Sequence, residues 1–322
     1  MKGEGRYRQA VSARAGSVHA LGYAYILAAA LLWATIGPAA RFALRAGIDP
    51  LEISFWRAAI AGLLFVVHAA ARGRLRIAPR DLPAVGGFAV FGVTVFYWSY
   101  FRAVEQGGAA LAAILLYTAP AWVALAAALW LGERLTPRKA LAVALTLAGI
   151  VLVALGSGTG MAGGGGGPGG RTAALAWGLL AGLAYAVYYL FGKRYFARYE
   201  ASTLFACALP VGAALLLPAV PFAPKSAEVW LVLLFVAVVP TYGAYLLYGL
   251  GLARVEATRA ATVATLEPVA AATLAYLVWG EALRATGYAG AALVLAGVLL
   301  VATEREPLEP PHEGPAQVRR GT

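Results

Sequence analysis

Arg57 and Glu267 are the two ionisable residues set deep among apolar neighbours, Arg57 in SFWRAAIAG and Glu267 in VATLEPVAA. A charge in hydrocarbon costs at least about 2.5 kcal/mol even on the gentler insertion scales, so each requires a partner or a wet cavity. A carboxylate in such a place suits two tasks, binding an ammonium group or exchanging a proton with a substrate. The plainer alternative for Glu267 is a permanent tie to Arg57 or to backbone groups freed by Pro268. For Arg57 it is a side chain beside Glu52 that snorkels to the nearer surface.

Aromatic residues gather at similar depth. Trp33, Tyr97, Tyr117, Tyr185, Tyr189, Tyr242 and Tyr245 are candidates to line a cavity, with core packing as the alternative. A buried tyrosine needs somewhere to put its hydroxyl, and a hydrated cavity provides it. Tyr242, Tyr245 and Tyr248 recur every third residue, as do Tyr97 and Tyr100, which places each set on one helical face. Tyr100, Phe101, Tyr248 and Trp130 lie nearer the ends of their stretches, where an interfacial belt accounts for them. Thr94, Ser99, Thr118, Thr241, Thr262 and Thr265 add hydroxyls, although serine and threonine also bond back to their own helix. An aromatic, sparsely charged cavity suits a substrate with an apolar body and one or two polar ends.

The elements that carry these residues are dictated by composition. The chain is 61% hydrophobic and 13% charged, whereas soluble domains are nearer 25% charged. Ten apolar stretches are long enough to cross ~30 Å of hydrocarbon as helices: 21–41, 51–71, 82–102, 108–131, 138–156, 172–191, 201–219, 228–250, 258–279 and 284–303. Lipid offers no partner for backbone N–H and C=O groups, so each is expected to be helical. The fold class is therefore all-α and polytopic. The formal charge of +11 invites a nucleic-acid reading. Its distribution excludes one, because 19 of the 26 Lys and Arg residues fall on one side of the ten stretches. That is the positive-inside rule on short loops. It predicts a multi-pass protein of the cytoplasmic membrane with both termini in the cytoplasm. The first stretch is too long for a signal-peptide core, and Cys207 alone makes neither a disulfide framework nor a metal site.

An internal repeat organises the ten stretches. ILLYTAPAWVALAAALWLGERL (Ile114–Leu135) and VATLEPVAAATLAYLVWGEAL (Val263–Leu283) align at a constant offset of 148. Pro120 pairs with Pro268, Gly132-Glu133 with Gly280-Glu281, and Tyr97 and Tyr100 with Tyr245 and Tyr248. A unit with an odd number of spans, repeated once, runs in opposite directions in the membrane; inverted repeats of this kind mark transporters, with the site between the halves near the midplane. Pro120 and Pro268 both fall near that plane and are expected to kink their helices as hinges. Glu133 and Glu281 fall at span ends and are expected to fix helix–loop junctions. The organisation predicted is a cytoplasmic segment 1–20, a five-helix repeat 21–156, a glycine-rich outer linker 157–170, a second repeat 171–303 and a disordered cytoplasmic tail 304–322. Close packing through small residues, such as Gly178 and Gly182, suits such helices.

With Ala103, Ala109, Pro120, Gly132, Glu133, Leu135 and Gly149 in one half, and Gly251, Ala257, Glu267, Pro268, Gly280, Glu281, Leu283 and Gly297 in the other, the chain resembles the EamA family of the drug/metabolite transporter superfamily. Trp56-Arg57 also looks like the family's pattern. The resemblance covers about residues 20 to 303. It implies a secondary transporter working by alternating access, with spans 5 and 10 at the periphery and export of amino acids or related metabolites as first choice. A drug or nucleoside/nucleotide-sugar carrier is the runner-up, and facilitated diffusion without proton coupling stays open. Scarce deep cations argue against phosphate-bearing substrates. The first half departs from the family's Glu-Pro with Ala119-Pro120, leaving Glu267 alone in that role.

Other apparent motifs carry little. Gly158 to Gly163 fit G-x-G-x-x-G without a preceding strand. His19, His68 and His312 are scattered, and no cofactor, metal or nucleophile–base pair is expected. The expected partners are a small-molecule substrate, the lipid bilayer and, as a candidate coupling ion, the proton. Substrate identity, direction, coupling ion and oligomeric state do not follow from the residues.

Overall fold

The computed structural model of the chain describes residues 19–156, 168–280 and 282–304. The N-terminal segment, most of the glycine linker with its G-x-G-x-x-G match, Glu281 and the tail beyond 304 lie outside the described residues. Among the described residues, ten helices are long and apolar enough to cross a membrane. The first five are span 1 (His19–Arg45), span 2 (Pro50–Ala71), span 3 (Pro79–Gly108), span 4 (Leu111–Leu131) and span 5 (Pro137–Gly156). The second five are span 6 (Thr172–Tyr195), span 7 (Ala201–Ala219), span 8 (Ala227–Leu252), span 9 (Ala257–Val278) and span 10 (Ala285–Ala302). The fold is all-α, and among the described residues there is no strand.

Boundaries are set by local chemistry. Span 2 opens on Pro50 after Asp49, whose side chain accepts the Leu51 N–H at 2.7 Å and satisfies an orphan donor. Ser226 does the same for span 8 by accepting from Val229 N. The helix of span 6 begins at Pro168, three residues inside the stretch read as linker; proline's fixed φ and missing N–H suit a first turn.

Several spans are interrupted, in matching places. Spans 3 and 8 contain π-helical turns at Ala89–Val95 and Val238–Gly243, and such turns gather at functional sites. Span 4 breaks after Leu116, at Tyr117 and Thr118, and span 9 breaks after Ala264, at Thr265. Gly132 and Gly280 close the two broken spans in the left-handed conformation (φ 71° in both), which a glycine adopts freely. The prolines do not kink continuous helices, as the spacing suggested. Pro120 sits in the first turn of Ala119–Ala126, and Pro268 is the third residue of Leu266–Trp279. The first four N–H groups of a helix have no intrahelical acceptor, so neither proline sacrifices a bond.

Packing is pairwise. Span 5 lies along span 10, span 2 along span 7, span 6 along spans 3 and 4, and span 1 along spans 8 and 9. A Cβ on Gly149 would come 2.6 Å from Gly290 O, and one on Gly297 would come 2.7 Å from Ala142 O. Gly62 meets the Pro210 ring, and Gly178 and Gly182 meet Leu115 and Thr118. Small residues thus bring the backbones together. The largest buried cluster, holding Trp33, Phe65, Phe88, Tyr97, Tyr188, Tyr189, Phe205, Tyr245 and Tyr248, fills the centre of the bundle.

Candidate functional site

The break in span 9 delivers Glu267 to the first turn of a new half-helix. It therefore stands at the positive end of that helix's dipole, which favours a negative charge. The break in span 4 delivers Tyr117 to the neighbourhood of the Glu267 carboxylate. Tyr100, Tyr185 and Tyr189 lie close enough to feel the same charge. Tyr189 donates to the Tyr185 hydroxyl at 3.4 Å, and Phe96 stacks on Tyr185 with centroids 5.3 Å apart. Tyr117, Ala119, Pro120, Tyr185, Tyr189, Ala261, Ala264 and Thr265 line a narrow crevice that admits no water-sized sphere.

Arg57 forms the other pole. It points inward rather than snorkelling: Nε donates to Thr241 Oγ1 at 3.2 Å, and Cζ lies 5.4 Å from the Tyr97 ring centroid. Thr241 is held in turn by donating to Val236 O within the π-helical turn, at 2.8 Å. Tyr188 and Tyr245 are the other charge-sensing neighbours of Arg57, and Tyr245 donates to the Tyr188 hydroxyl at 3.2 Å. The Tyr97 hydroxyl is buried, with the residue 3% exposed, and has no hydrogen-bond partner among the described residues. Such an orphan is costly unless something else meets it. Arg57 and Glu267 feel each other's charge, yet no ion pair within 4 Å joins them. Glu52 belongs elsewhere, bound to Lys225, the Trp56 indole N–H and the Ala223 N–H.

The structure therefore brings Glu267, Arg57, Tyr97, Tyr117, Tyr185, Tyr189 and Tyr245 into one closely packed chamber region, in which Tyr117, Tyr185 and Tyr189 line the narrow crevice. Trp33 stands behind it, edge-on to Tyr245 at 6.0 Å. Two candidates stand aside. Thr94 spends its hydroxyl on Ala89 O and Gly212 O, at 3.2 and 3.3 Å. Tyr242 pairs its hydroxyl with His68 Nδ1 at 2.7 Å and packs on Phe65. Tyr100 and Tyr188 were missed. Tyr100 lies beside Glu267 rather than in an interfacial belt, because span 3 runs on to Gly108 and so sets Tyr100 deeper. Its register with Tyr97 was the available signal. Tyr248 is also no belt residue: it is buried and donates to Tyr188 O at 2.7 Å.

The ends of the bundle are tied by charge. Glu133, following the left-handed Gly132, caps span 9 by accepting from Ala257 N at 2.6 Å and from Thr258 N and Oγ1 at 3.2 and 2.8 Å. It fixes a junction, as its position suggested. Beside it, Lys139 and Arg259 meet Glu256 at 2.7 and 2.6 Å. Burial pushes the Glu256 carboxyl up, but these two partners outweigh it and hold the group below the usual carboxylate range.

Comparison with known proteins gives the architecture a lineage. A solved crystal structure shares the fold at a TM-score of 0.73 and 24% identity, covering 89% of this chain and 96% of that one. An uncharacterized transporter of Archaeoglobus fulgidus is 30% identical over 87% of this chain and 95% of its own. A protein of Streptantibioticus cattleyicolor named a probable terminal-alkyne amino-acid exporter is 26% identical over 84% of this chain and 89% of its own. The profile of the EamA-like transporter family matches residues 20–155 and 172–303. With ten apolar helices to carry that match, the chain is a multi-pass membrane transporter rather than an enzyme, and it belongs to the EamA-like transporter family.

Proposed function

We propose that the protein is a secondary carrier that exports a small zwitterionic metabolite, an amino acid before other classes, from the cytoplasm by alternating access. The observation that carries this reading is the separation of Arg57 from Glu267. Two opposite charges share one tyrosine-lined chamber without pairing. A substrate carboxylate fits the guanidinium and the unpartnered Tyr97 hydroxyl. A substrate ammonium fits Glu267 and Tyr117. Its side chain takes the aromatic space between. The name of the Streptantibioticus relative supports the amino-acid class.

The two halves, 21–156 and 171–303, act in this reading as inverted repeats. Reciprocal contacts support it. Gly149 meets Gly290 and Val294, and their counterparts are swapped where Gly297 meets Ala142 and Thr146. Gly62 and Pro210, which correspond at the 148 offset, meet each other. A two-fold axis generates contacts of this kind. Rocking about it, with the breaks beside Pro120 and Pro268 as hinges, would expose the chamber to each side in turn. The Lys/Arg excess supports cytoplasmic termini in the inner membrane. Glu267 is the group available to carry a coupled proton.

The test is transport in proteoliposomes, using a panel of labelled amino acids and nucleosides with an imposed pH gradient. Glu267→Gln should lower amino-acid transport roughly 30-fold or more, the loss of about 2 kcal/mol from one charge-assisted contact, and should abolish the response to the gradient. An unchanged rate and pH profile would remove Glu267 from the mechanism. Transport of amino acids with no response to the gradient in the native protein would establish facilitated diffusion. Transport of nucleosides alone would overturn the amino-acid reading.

A further inference from the structure

Away from the chamber, at the end of the bundle where span 2 closes and span 7 begins, the surface holds an open concavity of about 270 Å³ lined by Arg74, Arg76, Arg198, Glu200 and Thr203 among others. Three guanidinium groups share it with one carboxylate. Arg74 meets Glu200 at 3.2 Å while staying 60% exposed, and Arg198 reaches Asp81 only at 3.6 Å. Arg76 has neither a hydrogen bond nor an ion pair among the described residues. The loop that carries it is built, not slack. Thr203 donates to Arg74 O at 2.7 Å, and Ala78 N donates to the Tyr199 hydroxyl, which donates to Asp81.

Planar guanidinium donors around a concavity, with Arg76 unpaired and Arg74 and Arg198 only loosely held, match a phosphate. The position points to the source. This loop joins Ala71 at the end of span 2 to Pro79 at the start of span 3, so it lies at the level of the lipid headgroups. Leu75, between two of the arginines, is 41% exposed and offers an apolar contact that a soluble phosphate does not use. We propose that the concavity binds the headgroup of an anionic phospholipid, its phosphate between Arg76 and Arg198 and its acyl chains against the apolar flank begun by Leu75. Basic pockets between spans take lipid headgroups in this way. The proposal stands independently of the transported substrate.

The test counts lipids retained by the purified full-length protein in native mass spectrometry, after equilibration in micelles with equal phosphatidylglycerol and phosphatidylcholine. The native protein should retain phosphatidylglycerol in preference. Arg76→Gln with Arg198→Gln should cut that retention roughly 30-fold, at ~1 kcal/mol per arginine, and R76Q alone should cut it roughly fivefold. R134Q with R138Q removes the same charge from another loop and should leave retention within about twofold of the native value. Equal retention of the two lipids, or equal losses in the two double variants, would overturn the proposal. So would displacement of the lipid by excess inorganic phosphate with retention of the phosphate itself, which would assign the site to a soluble anion. An unchanged unfolding temperature in the double variants shows that the losses are not unfolding.

Discussion

Glu52 and Glu200 occupy the same place in the repeat, 148 residues apart, and meet opposite conditions. Each stands at the start of its helix, span 2 or span 7, and reaches the loop that follows the other one. Glu52 is fully buried and pairs with Lys225, which is 7% exposed. The ammonium is boxed by Trp56, Phe222 and Trp230, with ring centroids 5.7, 5.8 and 5.4 Å away. Glu200 meets Arg72 and Arg74, both more than half exposed. One end of the molecule is thus latched by a dry ion pair and the other by a wet one. Breaking a buried pair strands a desolvated charge, while an exposed pair is screened and contributes little. The two carboxylates share a register in the sequence repeat. The residues around each carboxylate make the two ends unequal to open.

The strongest way to break this comparison is Lys225→Met, which strands the Glu52 carboxylate in its box. It should lower stability by about 3–5 kcal/mol, read as a fall in the unfolding temperature in detergent. Adding Glu52→Leu should recover most of that loss, because two apolar side chains leave no charge behind. A single variant as stable as the native protein would show that the Glu52 latch is wet after all. The repeat itself is sharpened by Gly149→Ala and Gly297→Ala. Each drives a Cβ into a backbone carbonyl, Gly290 O or Ala142 O, and should cost ~1–3 kcal/mol. Similar costs are expected from reciprocal contacts; a cost confined to one of the pair would undo the symmetry. The smallest effect belongs to Glu200→Gln, at about 0–1 kcal/mol, and it should fade as salt rises toward molar, where the Debye length is ~3 Å. A loss as large as that of Lys225→Met would erase the distinction between the ends.

Much of this was legible in the residues. The ten helices followed from apolar runs of span length, and the family followed from Pro120, Gly132-Glu133, Pro268 and Gly280. Glu267 and Arg57 stood out as charges without polar neighbours. Tyr100 and Tyr188 were not legible as chamber residues, because hydropathy reports depth only to a few residues and does not report which side of a helix faces inward. Thr94 shows a related limit: depth in the sequence does not reveal that its hydroxyl is taken by Ala89 O and Gly212 O. The proline spacing suggests kinks, and it does not show that each helix breaks just ahead of Pro120 and Pro268.

Composition and period alone determined that the chain spans a membrane ten times and repeats itself, because hydrocarbon thickness and backbone hydrogen bonding leave a helix no alternative. The folded bundle decided what the buried charges face. Arg57 turned toward Thr241 and Tyr97, Glu267 toward Tyr117, and Glu52 toward Lys225. Such pairings join residues far apart in the chain, and only helix packing selects among partners that the one-dimensional pattern leaves equally available.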